Sequence, residues 1–269
     1  MKEDIDLSLS ERMKRNYEDR TKLYLPRRTY TLIRLDMKSG HQYTKRISAP
    51  MPFDDRLMSR MDLTAKFLCA NIQGAQFAYV QSDEISILLT DFDGKRTQAW
   101  FDGNVQKIVS VSASMAGAFF NSVPSGIYPD KVYEHVDKFK DNTVEDWVLL
   151  ADRELAFFDS RVFTIPDPVE VYNYFVWRIQ DWERNSLQML ARKYFPDQKD
   201  LNGKNEHELH QMIHAAGDNW AKLPETHKRG RILSKHIAGM WNVYPAPLLS
   251  DQAQKEAFKA LIPIHGYGD

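Results

Sequence analysis

At 269 residues and a net charge of −1, the chain is long enough for one large domain, or one domain with an appendage, and it carries no global basic field to draw in nucleic acid. Its 43% hydrophobic and 27% charged residues are those of an ordinary soluble globular protein, with no apolar run of membrane-spanning length. The single cysteine, Cys69, excludes an internal disulfide and a cysteine-rich metal site. Residues 1–20 are charged and lack the apolar core of a secretory signal, so the cytoplasm is the expected compartment.

In chain order, Ser8 or Ser10 is placed to cap a helix over residues 7–13. Pro26 closes this arm, and a β-rich run over residues 29–35 ends on Asp36. Residues 37–54 set Gly40, Pro50 and Pro52 among Lys38, His41, Lys45 and Arg46, which reads as a basic loop. Asp54 or Asp55 caps a helix in which Leu57, Met61, Ala65, Leu68 and Ile72 recur at helical spacing, and Gly74 ends it. Residues 79–89 read as two strands meeting in a tight hairpin over Gln81, Ser82, Asp83 and Glu84. A second helix is expected over residues 98–121, on the stripe Phe101, Val105, Ile108, Ser112, Ala116 and Phe119. The region 130–159 is acidic and runs into a strand candidate at residues 155–163. Beyond Pro166 and Pro168 the pattern turns helical, over residues 171–194, 206–216 and 251–261. Between them, residues 222–235 hold five Lys/Arg against one acid.

Strand, helix, strand, strand, helix, strand is the split βαβ order: an α+β fold of four strands with two helices on one face. The expected division is a core with an N-terminal helical arm over residues 1–165, and a mainly helical region over 166–269 packed on it. In this layout the end of the first strand lies beside the hairpin, so Asp36 and Asp83 converge. The same topology carries RNA-binding modules, small-molecule sensors and polymerase palms, so fold alone does not decide function.

Two carboxylates on rigid strand ends suit Mg²⁺, a hard ion that takes oxygen ligands and keeps substrate phosphates in its shell. A pair of such ions clamps the attacking and leaving oxygens of a phosphoryl displacement. Lys38 and Lys45 would then face a triphosphate, with the Ser39-Gly40 backbone approaching closely. Against this stands the plain reading of acids exposed at a turn and solvated lysines on a loop. Other chemistry is poorly served. Cys69 is mid-helix, and His207 and His210 share a helix face with no third ligand. Arg178, Asp181 and Asn185 lie three and four apart on one helix face, while Trp177 and Trp182 beside them read as core.

The set Arg34-Leu35-Asp36, Pro52-Phe53-Asp54, Gln81-Ser82-Asp83-Glu84-Ile85-Ser86, Trp100-Phe101 with Val105-Gln106-Lys107-Ile108, Phe158-Asp159-Ser160-Arg161-Val162 and Trp177-Arg178-x-x-Asp181 resembles the tRNA(His) guanylyltransferase family. The match runs in order from about residue 30 to 195, and residues 202–231 look like the C-terminal portion of the bacterial and phage-like branch. The resemblance implies a polymerase-like palm that adds nucleotides to the 5′ end of tRNA in the 3′–5′ direction, after activating the 5′-phosphate with ATP or GTP. It implies Asp36, Asp83 and the backbone carbonyl of Met37 as ligands of two Mg²⁺ ions, with Glu84 supporting the catalytic site. Lys38, Ser39, Gly40, His41, Lys45, Ser82 and Lys107 would lie at bound nucleotide, and Arg178, Asp181 and Asn185 at the activation site and tRNA end. Lys222, Lys228, Arg229, Arg231 and Lys235 are expected on tRNA phosphates, and the family's assembly is a homotetramer, a dimer of dimers.

Two departures from the family pattern matter. Met37 stands where the family has Gly, and Glu183-Arg184-Asn185-Ser186 stands where the eukaryotic enzymes carry His-Ile-Asn-Asn. The second points to the guanylyltransferase-like branch, which fills truncated tRNA 5′ ends against a template. The competing readings are a palm-type cyclase or nucleotidyltransferase acting without tRNA, and a non-catalytic split-βαβ RNA-binding module. The module would expose aromatics on its central strands, and neither Thr31, Ile33, Leu35 nor Tyr30, Leu32, Arg34 makes a stacking platform.

Overall fold

The computed structural model describes residues 7–123, 155–236 and 239–264. Most of the acidic region expected at 130–159 lies outside them. Strand β1 (Tyr30–Met37) alternates two apolar sets along its length. Ile33, Leu35 and Met37 face one way and pack with Met61, Ala65 and Leu68 of α3 (Asp55–Asn71) and with Ile108, Ala116 and Phe120 of α4 (Val105–Ser122). Tyr30 and Leu32 face the other way and pack with Phe77, Tyr79 and Leu88 against Val171, Phe175 and Ile179 of the long helix α5 (Pro168–Tyr194). With helices on both faces, strands β2 (Ala75–Gln81) and β3 (Glu84–Leu89) are buried along almost their whole length. Such strands read as continuous apolar runs rather than as alternation.

All pairings are antiparallel, in a six-stranded sheet of order β4-β1-β3-β2-β5-β6, with β4 spanning Phe158–Ile165. The first four strands with α3 and α4 are the split βαβ unit expected from the sequence. The last two come from the C-terminal region, which is otherwise mainly helical, and were not expected there. β5 (Arg231–Lys235) pairs with β2, setting Val80 against Arg231 and Phe77 against Ser234, and β6 (Trp241–Pro245) closes the edge. The sheet therefore crosses the boundary drawn at residue 165, and α5 covers the face that the two-helix expectation left open.

Local chemistry explains two further corrections. Helix α4 starts at Val105 rather than at 98, because Asn104 caps it by accepting the Lys107 N–H at 3.0 Å. The preceding Trp100–Gly103 turn holds Phe101 and Asp102 at positive φ, 49° and 54°, which no helix propagates through. The basic segment after β1 contains a helix, α2 (Gly40–Arg46), entered through Ser39 in the left-handed region. Breakers at both ends bounded a helix there, not a loop. Two predicted caps hold: Ser8 caps a short α1 (Leu9–Met13) and Asp54 caps α3. Helix α5 starts three residues before the expected 171, because Asp167 caps it ahead of Pro168.

Candidate active site

The hairpin between β2 and β3 is as tight as expected. Gln81 pairs with Glu84, leaving Ser82, at φ 43°, and Asp83 as the two turn residues. The tip is tied to the end of β1, where the Met37 N–H donates to the Asp83 carbonyl at 3.0 Å. This bond brings Asp83 beside Asp36. Gly40, in the first turn of α2, closes over the same spot. A Cβ there would lie 1.7 Å from Asp83 Oδ2, so only glycine lets helix and carboxylate approach this closely.

Asp36 stands in register with Glu84 on β3 and with Asp159 on β4, so three carboxylates form a row across adjacent strands on one sheet face. Burial, then the charges of Asp83, Glu84 and Asp159, push the Asp36 carboxyl up to about 6, with Arg34 opposing. Burial also raises Asp83, against a hydrogen bond from Ser82 that favours its ionised form. Glu84 is the one acid of the row held by a strong cation from the long helix. Arg178 grips it with two bonds, Nε to Oε1 at 2.9 Å and a terminal nitrogen to Oε2 at 2.7 Å, both side chains being 9% exposed. With its amide oriented to suit these partners, Gln81 accepts from the same guanidinium at 2.6 Å and donates to the Arg178 carbonyl at 3.0 Å. Glu84 thereby anchors the hairpin to α5.

Asp36, Asp83, Glu84, Gly40 and Arg178 line a cleft of about 430 Å³ whose far wall is α5. It shares His41, Thr44, Ser82 and Trp182 with an adjoining pocket of about 310 Å³, walled by Pro50, Pro52, Phe53, Leu57 and Met58. One continuous groove thus has an acidic end and an apolar end. Of the residues expected at bound nucleotide, Gly40, His41, Lys45 and Ser82 line this groove, and Lys38 and Ser39 sit exposed on the turn that enters it. Arg178 and Asn185 line it as well, and Asp181 braces them from beneath, 3.3 Å from Arg178 and 3.4 Å from the Asn185 amide.

Three expectations do not survive the geometry. Lys107 lies in the first turn of α4, whose start packs on Leu25, Thr31 and Leu89 at the end of the sheet remote from Asp36, so this chain does not bring it to the groove. Lys228, Arg229 and Arg231 form no solvent-facing patch, being only 7%, 7% and 2% exposed. Glu225 pairs with both Lys228 and Arg229, and Asp62 of α3 holds Arg231 Nε at 2.7 Å. Only Lys222 and Lys235 of that set are exposed. Trp177, read as core, is 49% exposed, with the Arg178 guanidinium over its ring at 4.7 Å, whereas Trp182 is buried as expected.

Gln188, Met189, Arg192 and Thr44 complete the groove and were missed from the sequence. Gln188 and Arg192 continue the three-and-four spacing of Arg178, Asp181 and Asn185, so extending that stripe by two turns would have found them. Thr44 had no such signal, because its helix was read as a loop.

The donor set fits a hard cation. Asp36 and Asp83 crowd together with raised proton affinity, the condition that an added positive charge relieves. Among the described residues no three His, Cys, Asp or Glu side chains form a closed metal shell. A metal held here takes its other ligands from backbone, water or substrate oxygens, as Mg²⁺ does.

Comparison with known proteins agrees with this geometry. The family model for tRNAHis guanylyltransferase matches residues 10–166. The tRNA(His) guanylyltransferase of Kluyveromyces lactis is 25% identical over 217 residues, covering 77% of this chain and 82% of its own length. That of Saccharomyces cerevisiae is 23% identical with the same coverage. Among solved structures, a bacterial tRNA(His) guanylyltransferase-like protein in complex with ATP is 37% identical, with a TM-score of 0.77, covering 96% of this chain and 100% of that one. A structure with GTP gives 35% and 0.72 at the same coverage, and the Saccharomyces cerevisiae structure, 19% identical at a TM-score of 0.66, shares the fold. On the family match across more than half its length, the chain belongs to the tRNA(His) guanylyltransferase family.

Proposed function

We propose that the protein extends the 5′ end of tRNA in the 3′–5′ direction, activating the 5′-phosphate with ATP or GTP and selecting the added nucleotide by pairing with the opposite strand. The observation that carries this reading is the continuity of the groove, acidic where phosphates and cations would meet and apolar where a base would lie. Asp36, Asp83 and the Met37 carbonyl would hold Mg²⁺, in two ions. Bound there, the metal supplies charge neutralisation at the reacting phosphate oxygens.

The rest is positioning and exclusion of water, which is most of what phosphoryl transfer asks of a protein. Phe53, Leu57 and Trp182 offer a base an apolar slot. His41, Thr44 and Ser82, common to both ends, would lie along the triphosphate, with Lys45 beside them and Lys38 and Ser39 at the entrance. Asn185, Gln188 and Arg192 present donors from α5 toward the arriving RNA end. Arg178 fixes Glu84 and thereby the hairpin that carries Asp83.

Template selection follows from the segment Glu183-Arg184-Asn185-Ser186. Only Asn185 of the four lines the groove. Ser186 is buried and bonded to the Trp220 indole at 3.0 Å, and Arg184 pairs outside with Asp181 at 3.1 Å. No imidazole from this segment reaches the RNA end, so base pairing is left to choose the nucleotide. A stacking module is disfavoured, since both faces of the sheet lie under helices. A homotetramer in the cytoplasm belongs to the same reading and rests on the family; sedimentation tests the assembly.

The deciding experiment supplies Mg²⁺, ATP and all four nucleotides to 5′-labelled tRNAs, full-length or lacking the first nucleotide. Templated repair of the truncated tRNA is the expected result. A preference for unpaired G on full-length tRNA(His), with truncated tRNAs untouched, overturns template selection. No extension of any tRNA overturns the whole reading.

A further inference from the structure

The apolar end of the groove is walled from two sides, by the loop carrying Phe53 and by Trp182 of α5, and both walls rest on one residue outside the family match at 10–166. That residue is His227, in the short helix α7 (Glu225–Arg229), with α6 (Glu206–Ala215) preceding it. Its ring stacks on Phe53, centroids 4.8 Å apart and planes at 30°. Its Nε2 lies 2.7 Å from Asp55 Oδ1, at the start of α3 just after that loop. A carboxylate only accepts here, so the Nε2–H donates. Its backbone carbonyl accepts the Trp182 indole N–H at 2.9 Å. Phe53 and Trp182 meet each other edge to face at 6.2 Å.

Three contacts from one residue therefore set the distance between the two walls. His227 is itself held firmly. The neighbouring Lys228 carbonyl accepts from buried Ser186 of α5, and the Arg229 guanidinium donates to the Ala246 carbonyl at 3.1 Å. Two residues further on, Arg231 is anchored to Asp62 of α3, the helix that begins at Asp55. The Nδ1 of His227 is buried with no hydrogen-bond partner among the described residues, so no second polar contact competes for the ring's orientation.

We infer that His227 is a positioning residue for nucleotide binding, holding the Phe53 loop against Trp182 so that the base end of the groove stands formed before nucleotide arrives. The inference rests on reading that end as the base site. A wall left free to move must be ordered at the moment of binding, which costs affinity rather than chemistry.

The test measures Mg²⁺–ATP affinity by calorimetry without tRNA, and KM and kcat for extension with it. His227→Ala is expected to weaken Mg²⁺–ATP about tenfold, the scale of losing an aromatic contact and a charge-assisted hydrogen bond. At saturating ATP its kcat should stay within about twofold of wild type. His227→Gln, which keeps a donor for Asp55, and His227→Phe, which keeps the stack, should fall between. Asp55→Ala, on a side chain 74% exposed, removes the hydrogen bond alone without risk to the fold, and should likewise fall between. Leu57→Trp, filling the pocket, separates the two hypotheses. If it weakens ATP while His227→Ala and Asp55→Ala leave affinity unchanged and lower only the denaturation midpoint, His227 is merely structural and the inference falls. If it too leaves ATP affinity untouched, the base does not lie in this pocket, and both readings fall.

Discussion

The hairpin at residues 81–84 and the segment at 222–235 are both dense in charge, and the fold treats them oppositely. Arg231, Arg229 and Lys228 go inside, against Asp62 of α3, Glu225, which pairs with the last two, and Glu183, whose carboxylate feels the same two cations, so three charges of each sign cancel out of sight. At the hairpin, Asp36, Asp83, Glu84 and Asp159 gather, with Arg178 bound firmly to Glu84 and Arg161 reaching the exposed Asp159 at 3.5 Å. A balanced cluster is architecture; an unbalanced one at the mouth of a cleft suits a cation. The burial of Asp62 shows the expense of the first solution, since desolvation raises its carboxyl even with Arg231 at 2.7 Å.

This contrast breaks most visibly at Asp83. Asp83→Ala should lower nucleotide addition by about three orders of magnitude or more, the scale of losing several kcal/mol of charge stabilisation, while circular dichroism and melting stay native. Extension of labelled tRNA near the wild-type rate would show that the unbalanced acids are not the reaction centre. The opposite signature belongs to the balanced cluster. Arg231→Ala should destabilise by about 3–5 kcal/mol in urea, because it strands Asp62 in the interior. Arg231→Met combined with Asp62→Leu should recover most of that loss; if it recovers none, the pair does more than cancel.

The imbalance also has a pH signature. Asp36 binds a proton more tightly folded than unfolded, so its contribution to stability is full below its ordinary value of 3.8 and lost as pH rises to about 6. The rise from 3.8 to about 6 corresponds to about 3 kcal/mol, at ~1.36 kcal/mol per pH unit. With solvent screening at this half-buried group, Asp36→Asn should stabilise the metal-free protein by about 2 kcal/mol or less at pH 7.5, and change little near pH 3.5. Added Mg²⁺ should raise the midpoint of the wild type and not of the variant. An equal effect at both pH values would mean that Asp36 is not electrostatically strained. The smallest expected effect sits on the exposed remainder of the basic segment. Lys222→Ala and Lys235→Ala together should leave stability unchanged and flatten the salt dependence of tRNA binding, by roughly one unit of slope per lost phosphate contact. An unchanged slope would remove the segment from RNA binding altogether.

What was legible in the sequence was local. The Gln81–Glu84 turn, the caps at Asp54 and Ser8, and the stripe on α5 each depend on neighbours within a few residues. What was not legible depends on partners far away. Nothing near Arg231 says that Asp62 will neutralise it, and nothing near Ile232 says that β2 needs another strand. The left-handed entry at Ser39 turned an apparent loop into α2, and Gly40 looked like a breaker, although its role is to admit Asp83.

The sheet that continues from β2 into β5 also sets the smallest unit that this protein can be divided into. A chain ending near residue 165 would uncover the hydrogen-bonding edge of β2 and, by losing α5, the apolar faces of Tyr30, Leu32, Phe77, Tyr79 and Leu88. An open edge beside a bare apolar face is a template for self-association. The carboxylates of the groove and the described residues beyond 165 are thus one body, which could not be shuffled onto another protein, or inherited, in halves.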